Sequence, residues 1–340
     1  MRIPLIVLIC LLSGPIPANA QTRRLEPSCP SVFSTHKNGG KQSIRYASNH
    51  SLDRLDTAVT TLLIYIHGIN RNGLAYFEYG EEAVRSARQK KQTLLIAPQY
   101  ADESDLDAYL LGNDFLYWKK AEWKDGHSSL SDGARVQNTP ISSYEVMDSL
   151  LIFVLGSGHF PNIKRVVIAG HSAGGQFVQR YSAISPVPDL MAAVQFRFLV
   201  MDPSSYMYPD ARRPMPDKTF GFPDATGCPD YNHYPKGLEG LNPYALAAGA
   251  DRILNNMLHR AIFILLGEED TRMDDPNLDV GCAANLEGAF RLERGMNFFA
   301  YIRTFPGYGD KQNFGVVSDS GHSGEKMINS DEARRVIYGP

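Results

Sequence analysis

Gly170-His171-Ser172-Ala173-Gly174 sets a serine between two glycines, and its flanks decide what that serine can do. "RVVIAG" (165–170) runs into it as an apolar, β-branched strand, and "GGQFVQRYSAI" (174–184) follows with helix-compatible residues. A serine on a tight strand-to-helix turn has strained backbone angles, so its neighbours must lack bulk. The helix N-terminus behind it favours developing negative charge. These are the needs of a nucleophile in acyl transfer, which makes Ser172 the candidate attacking group. Gly-His-Ser occurs again at 126–128 and 321–323. In "KDGHSS" (124–129) neither His127 nor Ser128 has a neighbouring strand or turn that would assign it a role.

A serine placed this way needs a sheet beneath it. Apolar runs at "TLLIYIH" (61–67), "TLLIAPQ" (93–99), "RVVIAG" (165–170), "FRFLVMD" (196–202), "AIFILLG" (261–267) and "FFAYIRTF" (298–305) read as strands buried on both faces. Helical patterns lie between them at 74–91, 142–156 and 242–260, the second opening with Ser142 and Glu145 as a capping box. The alternation predicts an α/β fold with a mostly parallel central sheet flanked by helices. Residues 21–58 read as polar and irregular, with short strands at most around "SIRYAS". Residues 203–243 hold eight of the 21 prolines and six aromatics, which predicts an irregular insertion rather than a long helical lid. Its aromatics either pack on one another or line a cleft, and Tyr206 is the one taken as a candidate substrate contact.

With the strand–motif–helix placement of Ser172, the chain resembles the α/β-hydrolase fold family, in particular its secreted serine esterases, over most of residues 60–325. The resemblance implies the chain order nucleophile, acid, histidine. It implies His322 as the base, in the late loop "VVSDSGHSGEK" where small residues flank it; Ser323 is then incidental. His171 is expected to be a spacer pointing away from the nucleophile. After "FILLG" the resemblance implies Asp270 as the acid, with Asp202 at the other position the family uses and Glu268 and Glu269 as further candidates. The backbone N–H groups of Ile69 and Ala173 are the implied oxyanion donors, Ile69 lying in His67-Gly68-Ile69-Asn70. Asn70 and Arg71 are candidates for side-chain contacts. Trp118 and Trp123 lie in the connection after the strand at 93–99, where such proteins build part of the cleft rim; Trp118 is the candidate substrate contact, with core packing as the competing role.

Composition narrows the partners. Arg2, the apolar run 3–12 and Ala18-Asn19-Ala20 read as a cleaved signal over residues 1–20, too short in its apolar part to span a bilayer. The expected destination is secreted or periplasmic, with residues 21–340 as a single domain carrying the insertion at about 203–243. Loss of Arg2 takes the net charge from −3 to −4, which gives no reason to expect nucleic acid or an anionic membrane as partner. Cys29, Cys228 and Cys282 would remain, and Cys228–Cys282 is the pair expected to close, because both lie in loop-like stretches. No CxxC or His-x-x-x-His spacing argues for a metal, and no cofactor is expected. The expected substrate is a carboxylic ester, small or polymeric. A peptidase or amidase and a lipid or polyester hydrolase remain open beside it, with a non-catalytic binding protein as the reading from another class.

Overall fold

The computed structural model describes residues 29–131, 140–309 and 313–339, so the leader expected at 1–20 lies outside the described residues. Eight strands form the central sheet: β1 (Ser31–Lys37), β2 (Gly40–Ser48), β3 (Thr61–Ile66), β4 (Thr93–Gln99), β5 (Arg165–His171), β6 (Gln195–Met201), β7 (Ile262–Gly267) and β8 (Asn313–Val317). Their order is β1-β2-β4-β3-β5-β6-β7-β8. The antiparallel β1–β2 hairpin joins antiparallel to β4, and every pair from β4 to β8 is parallel. Side chains of one strand alternate between two cores, as the pleat requires. Leu62, Ile64 and Ile66 enter one core, and Leu63 and Tyr65 enter the other.

The helices divide accordingly. α1 (Gly73–Ser86) and α6 (Asp331–Tyr338) cover the second core, while α2 (Ser143–Gly156), α3 (Ala173–Ile184), α4 (Ala250–His259) and α5 (Arg291–Ile302) cover the first. Ser142 and Glu145 form the expected capping box at the start of α2. The pattern at 242–260 is two helices, Pro243–Ala248 and α4, separated at Gly249, whose φ of 78° suits glycine.

Two assignments are corrected. "FFAYIRTF" lies mostly within α5, and the last strand is "NFGVV" (313–317). Aromatics at 298, 299, 301 and 305 suit either a strand or a helix face, and here Phe298 and Tyr301 meet Tyr206 and Tyr208 across a helix. The segment taken as irregular holds β1 and β2, joined at Asn38-Gly39 with φ of 50° and 81°. Asn-Gly between strands is a hairpin signal that went unread.

The insertion is irregular, as predicted, with one two-residue ladder of Arg213–Pro214 against Phe220–Gly221. Its aromatics pack outward onto α5 rather than on one another: Tyr206 and Tyr208 are buried against Phe298 and Tyr301. The Cys228–Cys282 disulfide joins it to the segment after β7, while Cys29 is free and buried, its thiol pushed up to about 12 by burial. Among the described residues no helix is long and apolar enough to cross a membrane.

Candidate active site

Parallel register brings the carboxyl ends of β3, β5, β6 and β7 to one edge, where the candidate residues gather. Ser172 follows β5 with φ 59° and ψ −118°, a strained conformation costing about 1–3 kcal/mol. The turn is tight enough to exclude side chains at its glycines. A Cβ on Gly170 would lie 2.2 Å from the Gly174 carbonyl oxygen, and one on Gly174 2.2 Å from that of Ile66. The Ser172 N–H donates to the Met201 carbonyl at 2.9 Å, tying the turn to β6.

His322 Nε2 lies 2.9 Å from Ser172 Oγ, and its Nδ1 lies 2.7 Å from Asp270 Oδ2. Asp270 is buried, and its other oxygen accepts from the buried Arg291 guanidinium at 3.2 Å. Arg291 also donates to Ser204 Oγ and Asp275. Glu268 and Glu269 turn outward and are exposed. The structure thus brings Ser172, His322 and Asp270 together in one hydrogen-bonded line, and Asp202 makes no hydrogen bond to His322 among the described residues.

The loop after β3 is fixed from beneath. His67 is buried, with Nδ1 2.8 Å from the Gly68 carbonyl and Nε2 accepting from the Tyr100 N–H at 2.9 Å. Burial lowers its pKa to about 4, so the ring is neutral. Trp123 packs edge-on against it at 4.6 Å. Arg71 turns inward: it bonds the Ile69 carbonyl at 3.1 Å and pairs with Asp102 and Asp105. Gly68 sits beside Ser172, since a Cβ there would be 3.8 Å from Ser172 Cβ. Among the described residues the backbone N–H groups of Ile69 and Ala173 donate to no protein acceptor.

A cleft of about 210 Å³ opens over these groups, lined by Gly68, Ile69, Asn70, Asn72, Tyr76, Tyr79, His171, Ser172, Asn277, His322 and Gly324. Asn70 is exposed at its rim. Trp118 and Tyr206 are elsewhere, and their expected substrate contact is corrected: both are fully buried. The Trp118 indole N–H donates to the His127 carbonyl, and Tyr206 stacks on Phe298 at 4.6 Å. The spacer reading of His171 is corrected too. Its ring lines the cleft and packs on His322 with centroids 4.5 Å apart, because α1 and β6 present Tyr76 and Asp202 to its nitrogens. Ser323 caps the helix Gly324–Ile328, accepting from the Lys326 N–H. No signal in the sequence marked Tyr76, Asn72 or Asn277 as cleft residues. Among the described residues, the one set of three metal-ligating side chains is His171, Asp202 and His322, and both His322 nitrogens already face Ser172 and Asp270.

No protein-family model and no curated protein matches the chain. Solved structures do. One is a poly(aspartic acid) hydrolase-1 from Sphingomonas sp. KT-1, 23% identical, with a TM-score of 0.59 over 91% of this chain and 99% of that one. Another is LpqC, a poly(3-hydroxybutyrate) depolymerase from Bordetella parapertussis, 20% identical, with a TM-score of 0.59 over 91% of this chain and 89% of that one. Likeness at this level, joined to the strand order, establishes the architecture: the chain has the α/β-hydrolase fold.

Proposed function

We propose that the protein is a secreted serine hydrolase that cleaves carboxylic esters through an acyl-enzyme on Ser172. The observation that carries this reading is the line Ser172 Oγ–His322–Asp270, at 2.9 and 2.7 Å, set on a strained turn beside two free backbone donors. His322 Nε2 takes the Ser172 proton as Oγ attacks the ester carbonyl, and Asp270 holds Nδ1–H so that Nε2 is the basic nitrogen. Arg291, 3.2 Å from the other carboxylate oxygen, holds Asp270 in orientation. The carbonyl oxygen takes up negative charge against the Ile69 and Ala173 N–H groups, each worth roughly 3–4 kcal/mol in such an arrangement. His322 then gives its proton to the leaving alcohol, and water releases the acyl group by the same route.

The substrate favoured is a polymer ester with polar character. Both similar structures carry names of polymer-degrading hydrolases. The rim here is polar, with Asn70, Asn72, Asn277 and Tyr79, which suits a short or hydroxylated acyl group over a long alkyl chain. Amide cleavage is the second reading, since the triad alone does not choose between the two bonds. The leader-like residues 1–20 and the Cys228–Cys282 disulfide support an oxidising destination.

A fluorophosphonate probe should label the wild type and leave Ser172→Ala unlabelled; a labelled Ser172→Ala overturns the reading. p-Nitrophenyl esters of increasing acyl length, run beside poly(3-hydroxybutyrate) and a peptide amide, then place the substrate. Activity on the amide alone would replace the ester.

A further inference from the structure

Behind the His322 ring stands a second histidine–carboxylate pair that the mechanism above leaves unused. His171 packs on His322 with ring centroids 4.5 Å apart and planes tilted by 36°. Its Nδ1 is 3.0 Å from Tyr76 Oη, and its Nε2 is 3.6 Å from Asp202 Oδ2. Both His171 Nε2 and Asp202 Oδ2 are buried and otherwise without a hydrogen-bond partner among the described residues. Orphaned polar atoms in a core cost about 1–3 kcal/mol each, so a pair of them facing one another calls for an explanation.

The proton positions follow from the partners. Burial pushes the Tyr76 hydroxyl up, so it keeps its proton and donates to Nδ1. The proton of neutral His171 then sits on Nε2, aimed at Asp202. Asp202 is held by its other oxygen, which accepts from the Gly267 N–H at 2.8 Å. The Tyr76 hydroxyl is also where three loops meet. A Cβ on Gly324 would lie 2.9 Å from Tyr76 Oη and 3.2 Å from His171 Nδ1, and a Cβ on Gly68 would lie 3.0 Å from Tyr76 Oη. The oxyanion loop, the nucleophile turn and the loop carrying His322 therefore all bear on one hydroxyl.

We propose that Tyr76, His171 and Asp202 are a positioning chain for His322: the His171 ring seats the imidazole, and the Asp202 carboxylate stabilises the imidazolium that forms as Ser172 loses its proton. The proposal rests on the serine-hydrolase reading above. The titratable groups facing His322 are Asp270, Asp275, His171 and Asp202. Arg291 contacts Asp270 and Asp275 and offsets both, whereas among the described residues Asp202 faces the neutral His171 at 3.6 Å. Among the described residues no arginine forms an ion pair with Asp202.

The test is the pH profile of p-nitrophenyl acetate hydrolysis by the full chain and by Asp202→Asn, which keeps the acceptor for Gly267. Removing a negative charge disfavours the imidazolium, so the acid limb of kcat/KM should move to lower pH by about one unit. The plateau kcat should fall about tenfold at unchanged KM. An unmoved limb with wild-type kcat overturns the proposal. Tyr76→Phe removes a single hydroxyl and should lower kcat about threefold; combined with Asp202→Asn it should cost less than the product of the two. Wild-type kcat in Tyr76→Phe, or full additivity, also overturns it. If Asp202→Asn does not fold, Tyr76→Phe alone decides. Fluorophosphonate labelling of Ser172→Ala in the same series separates the two readings, because a labelled Ser172→Ala sinks the serine-hydrolase reading whatever the limb does.

Discussion

Two buried carboxylates, Asp270 and Glu287, flank the start of α5 and meet its arginines differently. Asp270 touches Arg291 at 3.2 Å and His322 at 2.7 Å. Glu287 is fully buried, accepts one backbone N–H from Tyr206 and, among the described residues, has no cation within ion-pair distance. Arg213 and Arg294 act on it from a distance, but their guanidinium groups donate to carbonyls: Arg213 to those of Asp210, Arg212, Tyr231 and Lys236, and Arg294 to those of Gly288, Ser204 and Asp279. Burial accordingly lifts Glu287 to about 7. Contact geometry, more than the number of nearby cations, decides whether a buried carboxylate such as Glu287 takes up a proton.

The largest test acts on the first carboxylate. Asp270→Asn should lower kcat about 10⁴-fold on a p-nitrophenyl ester, because an amide no longer enforces the tautomer of His322. A loss below tenfold would move the acid elsewhere, with Asp202 first in line. On the second carboxylate's side, Arg213→Met should cost about 3–5 kcal/mol in chemical unfolding, since several buried carbonyls lose their donor, while kcat stays at the wild-type value. Next comes the pH dependence of stability. A carboxyl raised by burial is protonated in the folded chain and ionised in the unfolded one between about pH 4.5 and 7. Stability is therefore lost as pH rises through that window, by about 3 kcal/mol from Glu287. Glu287→Gln should flatten that slope relative to wild type; identical slopes would mean Glu287 stays ionised. Smallest is Arg291→Lys, which keeps the charge and loses the fork that spans Ser204, Asp270 and Asp275. It should lower kcat about tenfold at unchanged KM.

The sheet and the strand–turn–helix placement of Ser172 could be read from the chain because their signals are local. A β-branched run, a glycine on each side of Ser172 and a helix pattern behind it lie within 20 residues of one another. That Asp270 and His322 lie beside Ser172 was reachable through the chain order the resemblance implies, and the place of Ile69 at the cleft through its glycine loop. What stayed hidden depends on contacts far apart in sequence. Glu287, Arg291 and Arg294 have the spacing of a solvated helix face, yet all are buried, because the insertion at 203–243 folds over them. His171 reads as a spacer until α1 brings Tyr76 against it. Trp118 lies in a polar stretch and is buried by Tyr100, which sits one residue past β4. Length and polarity were also misleading for "FFAYIRTF", where an aromatic face was taken for a strand.

The turn at Ser172 divides the site into parts with different freedom to vary. At Gly170 and Gly174 any side chain would strike a main-chain oxygen, and at Gly324 it would strike Tyr76 and His171. At Gly170 and Gly174 a side chain could be fitted only by moving the main chain, and at Gly324 only by moving the Tyr76 or His171 side chain. Asn70 and Asn277, by contrast, stand exposed at the rim. A library confined to the rim could therefore change what the cleft admits while leaving the Ser172, His322 and Asp270 line intact.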